Sequence, residues 1–231
     1  MKQYYPVCLD ITGRSCLVIG GGRVAERKVR GLLASGARVT TISPRLTPGL
    51  AELHTAARID WRARTYRPGD LADAFLVIAA TDDEATQRAI QQEADRENTL
   101  LNIADVPQRC SFILPSTLRR GALTISVSTG GNSPALAKQL REELEHRFGP
   151  EYAHYLELLG RLRTAILALG GPTASNKELF QKLLHPDLLD WIREGDWPKI
   201  EEHLQAVLPG TIDLSSLGGL KEQFSSPAGN A

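Results

Sequence analysis

The chain has 231 residues, 42% hydrophobic and 23% charged, which is enough for one large or two small domains with their own cores. Its 27 Lys and Arg balance 27 Asp and Glu, which argues against a general nucleic-acid or membrane-surface binder but leaves room for a local basic patch. No apolar run approaches membrane-spanning length, and Met1-Lys2-Gln3-Tyr4-Tyr5-Pro6 lacks the basic-then-apolar order of a secretory signal.

In chain order, residues 4–11 read as a short strand, closed by Thr12-Gly13-Arg14, and residues 15–19 as a first buried strand. Gly20-Gly21-Gly22-Arg23-Val24-Ala25 follows and reads G-x-G-x-x-A, where this strand should turn into a helix over 23–35 ending at Gly36. Gly20 permits the tight turn, Gly22 lets backbone approach a pyrophosphate, and Ala25 lets helix and strand pack closely. The helix N-terminus offers N–H groups to phosphates. Such turns also occur without any ligand, so the motif draws its weight from its βαβ setting. A second strand over 37–43 stops at Pro44, and a third over 59–66 alternates like an edge strand. The apolar run 75–80 reads as a parallel strand covered on both faces. Thr81-Asp82-Asp83-Glu84 has capping-box spacing and opens a helix to about residue 98, before a buried strand over 100–104. The fold class is therefore α/β, a Rossmann-like doubly wound parallel sheet over 1–112.

The pattern then changes. Strands over 112–116 and 123–128, joined through Arg120-Gly121, read as a hairpin. Ser133 is an N-cap and Pro134 an N1 residue for a helix ending near Phe148, before Gly149-Pro150. Helical spacing continues from 151 and stops at Gly170-Gly171-Pro172, with shorter helices over 176–184, 186–193 and 197–207. From about residue 209, Ser, Gly and Pro suggest a flexible tail. The expected division is thus 1–112, 113–149, 150–208 and 209–231.

Carboxyl ends of the strands face the ligand crevice in such sheets. After the second strand an NAD site usually carries an acid for the ribose, yet the next acid after Glu26 is Glu52. Ser43 offers a hydroxyl instead. Arg45, after Pro44, is either a partner for an NADP 2′-phosphate or a plain surface arginine. Small Ala79 and Ala80 let a cofactor lie close beside Thr81, whose hydroxyl also serves the helix start. Asp105 closes the next strand at the same rim. It is either a general base in a partly dry crevice or a turn-forming aspartate before Pro107. Thr129-Gly130-Gly131-Asn132-Ser133-Pro134 reads as an anion nest, served by Arg119 and Arg120, or as a flexible capped loop. His54, His146, His154, His185 and His203 have no metal-ligand spacing and read as surface or packing residues, so no resident metal is expected. Cys8, Cys16 and Cys110 form no C-x-x-C pair; buried reduced thiols fit a cytoplasmic protein.

Taken in order, five motifs are similar to those of a known family: Val18-Ile19-Gly20-Gly21-Gly22 through Arg27-Lys28, Ala79-Ala80-Thr81-Asp82-Asp83, Asn102-x-x-Asp105-x-Pro107, Ser111-Phe112-Ile113-x-Pro115-Ser116, and Ser128-Thr129-Gly130-Gly131-x-Ser133-Pro134. Over about residues 1–150 the chain resembles precorrin-2 dehydrogenase/sirohydrochlorin ferrochelatase, which is also the N-terminal module of siroheme synthase. The helical remainder matches in general character. The resemblance implies NAD-dependent oxidation of precorrin-2 to sirohydrochlorin, with Fe²⁺ as the substrate of a further insertion step. Asp105 falls on the family's catalytic aspartate, which accepts the proton in dehydrogenation and removes pyrrole N–H protons during insertion. Implied cofactor contacts are Gly20, Gly22, Arg23, Val24, Ser43, Pro44, Arg45, Ala80 and Thr81. The missing acid near Ser43 is a family trait and lowers the weight on NADP. Arg119, Arg120, Thr129, Gly130, Gly131 and Ser133 are placed to receive carboxylates of the tetrapyrrole. A homodimer built through the middle segment is implied. So is a separate uroporphyrinogen methyltransferase as source of precorrin-2, since 231 residues leave no room for one.

Two other classes compete. A non-catalytic NAD-sensing module would bind cofactor without turnover, and gives no reason for Asp105 or the 130–134 loop. A short-chain reductase is weakened by the absence of a Tyr-x-x-x-Lys pair.

Overall fold

The computed structural model describes residues 2–170 and 173–208, together with Gly210 and Leu220. The chain divides into two units, Met1–Leu114 and Pro115–Ala231.

The first unit is a parallel sheet ordered β3-β2-β1-β4-β5, built from β1 (Ser15–Ile19), β2 (Arg38–Ile42), β3 (Asp60–Arg62), β4 (Leu76–Ala79) and β5 (Leu100–Ile103). Helices α1 (Arg23–Ala34), α2 (Pro48–Thr55) and α3 (Glu84–Glu97) supply the crossovers. Successive strand residues point to opposite faces, and the burial follows that rule. Cys16, Val18, Leu76 and Ile78 pack with Val29 of α1 and Leu50 of α2. Leu17, Ile19, Val77 and Ala79 pack on the other face with Ile90 and Ala94 of α3. Central β1 and β4 are covered on both sides, which is why they read as continuous apolar runs.

The structure departs from expectation in places that have physical reasons. Residues 4–11 form no strand, and Tyr5, Val7 and Leu9 are exposed. At β5, the Ser111 N–H donates to the Leu101 carbonyl (2.9 Å) and its Oγ accepts from Leu101 N (2.7 Å). The strand expected over 59–66 shortens to β3. The unpredicted α2 starts at Thr47-Pro48, where the Thr47 side chain accepts from Leu50 N and proline occupies N1. Helix α3 is capped by Asp83, which accepts from Thr86 N (2.8 Å), rather than by Thr81.

In the second unit the hairpin is β6 (Ser116–Arg120) and β7 (Leu123–Val127), so the expected strand over 112–116 lies four residues further on. The turn is the two residues Gly121-Ala122, with glycine supplying the positive φ of +54°. Helix α4 (Pro134–Arg147) packs on the hairpin, and α5 (Glu151–Ala168), α6 (Thr173–Leu183), α7 (Leu188–Glu194) and α8 (Trp197–Val207) follow. Leu158 and Leu162 of α5, Leu183 of α6, Leu188 and Ile192 of α7, and Ile200 and Leu204 of α8 form a common core. The hairpin and α4 group with these helices in one unit. The expected stop at Gly171-Pro172 and the expected flexible tail lie outside the described residues, Gly210 and Leu220 apart. Among the described residues no helix is long and apolar enough to cross a membrane.

Candidate active site

Strand register puts the first unit's chemistry on one rim. Ile19 pairs with Ile42 and with Ala79, and Ala79 pairs with Ile103, so four strands end at one level. The ladder runs one residue further: Gly20 N donates to the Ile42 carbonyl, Ala80 N to that of Ile19, and Ala104 N to that of Ala79. Gly20, Ser43, Ala80 and Ala104 therefore follow their strands side by side. The sheet order reverses between β1 and β4, the switch point where such sheets bind ligands.

Gly20 has φ +129°, and a Cβ there would overlap the Ala80 carbonyl. A Cβ on Gly21 would overlap the Arg45 carbonyl. At Gly22 the same position faces open space. Gly22 is also the N-cap of α1 and offers no side chain to its first turn. In contrast, Thr47, Asp83, Ser133 and Asp196 each cap their own helices. An open glycine before an uncapped helix start is the arrangement a dinucleotide pyrophosphate requires, so these residues fit that group. Arg23 and Val24 are exposed beside it.

Ser43 is 4% exposed, and its hydroxyl donates to the Arg45 carbonyl (2.7 Å). It shapes the loop over the glycine turn rather than presenting a free donor to a ribose. Pro44 and Arg45 are exposed on that loop. Thr47 N donates to the Gly21 carbonyl (2.9 Å), and Thr47 Oγ1 donates to Glu26 Oε2 (2.6 Å). Hydrogen bonds from Thr47 and then Arg30 hold the Glu26 carboxyl below the usual range. Glu26 and Thr47 are thus the fastening between α1 and the loop, a pairing 21 residues apart that no local signal marks.

Asp105 is exposed and stands at φ +61°, a left-handed conformation uncommon outside glycine. Lys28, half-buried on α1, lies close enough to feel its charge. Burial and then Arg27 push the Lys28 ammonium below its ordinary value, opposed by Asp105 and Cys110. The rim therefore carries the Asp105 carboxylate in line with the open glycine turn, and the Lys28 ammonium on α1 is within electrostatic reach of that carboxylate. A carboxylate so exposed can accept a proton.

In the second unit Arg119 is exposed on β6. The Arg120 guanidinium donates to the carbonyls of Phe148 (3.1 Å) and Arg119 (3.1 Å), which ties it partly to the fold. The 129–133 loop also fills many of its own donors. Gly130 N bonds Ser128 Oγ, Asn132 N bonds the Thr129 carbonyl, and Ser133 N bonds Thr129 Oγ1. The loop is thus a preformed turn, with Ser128 and Thr129 supplying acceptors for three of its N–H groups. Gly131 is exposed at its tip. Cys16 and Cys110 are buried as expected, whereas Cys8 is exposed.

Residues 7–116 match the family model described as "Putative NAD(P)-binding", and residues 120–147 match "Sirohaem biosynthesis protein central". Siroheme synthase 1 of Aeromonas salmonicida is 38% identical over 81% of this chain and 40% of its own length. The siroheme synthase of Zymomonas mobilis is 36% identical over 95% of this chain and 50% of its own. The chain spans about half or less of the curated relatives it matches. A solved structure, "SirC, precorrin-2 dehydrogenase", superposes with a TM-score of 0.76 and 27% identity, covering 88% of this chain and 98% of that one. With both modules in sequence order and a solved counterpart matched almost end to end, the chain is similar to siroheme synthases and to a precorrin-2 dehydrogenase.

Proposed function

We propose that this chain oxidises precorrin-2 to sirohydrochlorin in siroheme biosynthesis, with NAD⁺ as the electron acceptor. The observation that carries the reading is Asp105, an exposed carboxylate on the same sheet rim as the open glycine turn. Gly22 and the first turn of α1 would hold the pyrophosphate, with Arg23, Val24, Ala80 and Thr81 lining the approach and the Pro44-Arg45 loop beside the adenosine end. Bound NAD⁺ supplies the two-electron acceptor. Asp105 takes the proton that the tetrapyrrole loses as its C–H electron pair departs, so precorrin-2 and NAD⁺ give sirohydrochlorin, NADH and a proton. Arg119 and the Thr129–Ser133 loop receive carboxylates of the substrate; Arg120 contributes charge while it stays bound to the Phe148 carbonyl.

The same carboxylate is suited to accept pyrrole N–H protons when Fe²⁺ enters sirohydrochlorin, and Fe²⁺ insertion is the second proposed activity. We also propose a homodimer. Leu136 (46% exposed) and Leu140 (37%) stand one turn apart on α4, while Ala137 faces its core. A uroporphyrinogen methyltransferase would supply precorrin-2, and the setting is cytoplasmic.

The test follows NADH formation from enzymatically generated precorrin-2, with NAD⁺ and NADP⁺ in parallel. Turnover with NAD⁺ is expected, and Asp105→Asn should lower kcat by at least about 10²-fold, the span of general-base catalysis, with NAD affinity kept. Binding without turnover would leave a sensing module. Preference for NADP⁺ would assign Arg45 to the 2′-phosphate. Fe²⁺ insertion into sirohydrochlorin no faster than an enzyme-free control would remove the second activity.

A further inference from the structure

Asp105 holds a left-handed backbone, which aspartate adopts more readily than most residues but which its neighbours must still select. The local turn bond beneath it, from Val106 N to the Ile103 carbonyl, is 3.3 Å, long for an N–H donor. The stronger constraint comes from Cys110, 3% exposed under the turn. Its Sγ accepts from Ile103 N (3.1 Å) and shares the S–H between the carbonyls of Val106 (3.2 Å) and Ile103 (3.3 Å). These partners flank Asp105 on both sides. Asn102 Nδ2 reaches the same sulfur (3.7 Å) while donating to the Phe112 carbonyl (3.0 Å). The segment carrying the thiol is itself fixed to β5 through Ser111.

We propose that Cys110 is a positioning residue: its sulfur and its S–H lock residues 103–106 so that the Asp105 carboxylate stands at the rim in the reacting geometry. This rests on the reading of Asp105 as proton acceptor. Burial pushes the Cys110 thiol up, opposed by the Ile103 N–H and by Lys2, Lys28 and Arg109, so the proton that serves the carbonyls stays on sulfur at neutral pH. An apolar side chain of similar size fills the space but makes none of these bonds. A serine hydroxyl can make them, on a shorter arm.

The experiment compares Cys110→Ala, Cys110→Val and Cys110→Ser, each alone and combined with Asp105→Asn. Steady-state dehydrogenation and NAD binding are measured in every variant. Alanine and valine should each lower kcat roughly tenfold while leaving the NAD Kd within about twofold, as displacement of one catalytic group predicts. Serine should restore much of kcat. In the Asp105→Asn background the alanine and valine changes should cost nothing further, because the group they position is gone. Valine keeps the packing, so it carries the comparison should the alanine variant fail to fold. An unchanged kcat in the folded apolar variants, a further loss on top of Asp105→Asn, or parallel loss of NAD affinity would overturn the assignment. Full activity of Asp105→Asn alone would instead remove the reading it rests on.

Discussion

Two neighbouring glycines answer to different constraints. Gly20 is required by its own fold: its φ is +129° and a Cβ would strike the Ala80 backbone. Gly20→Ala should therefore destabilise the protein by at least about 2 kcal/mol in urea denaturation, from strain and overlap together. Gly22 has an extended backbone and open space around the missing Cβ. Gly22→Ala should melt like the parent yet bind NAD more weakly, since its methyl enters the space assigned to the pyrophosphate. Equal binding in isothermal titration would remove Gly22 from the cofactor site. Glu93 makes a third residue-level case. Its buried carboxylate accepts from Gly69 N (3.0 Å), Leu71 N (2.9 Å) and the Tyr66 hydroxyl, clasping the 66–71 segment to α3. Glu93→Gln sets an amide N–H₂ among these donors and should cost roughly 2 kcal/mol of stability with NAD affinity unchanged. The glycine turn and the place of Asp105 at the rim are legible because strand ends in a parallel sheet share one rim, and strands can be read locally. Cys110, Lys28 and Glu93 are not, because what they do depends on partners brought close only by the folded chain.

At the scale of elements, legibility followed burial on both faces. Strands β1, β4 and β5 read as apolar runs and appear nearly where expected. The 4–11 stretch also reads as a strand but forms none, and its Tyr5, Val7 and Leu9 stay exposed. The start of α3 shows a finer ambiguity. Thr81-Asp82-Asp83-Glu84 offers two possible caps, and the three-residue path from the end of β4 makes Asp83 the one that reaches a helix N–H. Hydrogen bonds from Thr86 hold the Asp83 carboxyl below the usual aspartate range. The cap's contribution is therefore present above pH 3.8, the ordinary value, and fades as pH falls through the lower folded one. Asp83→Ala should lower the melting temperature at neutral pH, and Thr81→Val should leave it in place. The reverse ranking in differential scanning calorimetry would return the cap to Thr81.

Across the whole molecule, the two units should respond to acid in different pH windows. In the second unit, His203 packs against the stacked pair of His185 (ring centroids 4.9 Å) and Trp191 (6.0 Å), and its Nε2 is buried without a hydrogen-bond partner among the described residues. Burial lowers its pKa from 6.5, helped by the His185 charge and opposed by the bond to the Leu183 backbone. Asp187, 4.0 Å from His185 Nδ1, is the acid facing this cluster. A histidine with a depressed folded value binds its proton more readily when unfolded. Its neutral form thus stabilises the unit fully above 6.5, and that stability drains as pH falls through the lowered value. The carboxylates held low by partners weaken further down: Asp70, by Arg64 above all, in the first unit, and Glu151 in the second, where burial pulls upward but Arg193, the Glu151 backbone N–H and Arg120 together outweigh it. Both fade only below 3.8 and 4.5 respectively, the values they would have unfolded. Of the three tryptophans, Trp191 and Trp197 report on the second unit and Trp61 on the first. In a Trp61→Phe background, thermal melts followed by tryptophan fluorescence should shift to lower temperature between about pH 7 and pH 5, the window that a histidine titration sets. His203→Phe should flatten that dependence, because the replacement fills the same apolar space and carries no proton. A melt equally steep in pH with phenylalanine present would show that the His203 ring is not the group that couples this core to acid.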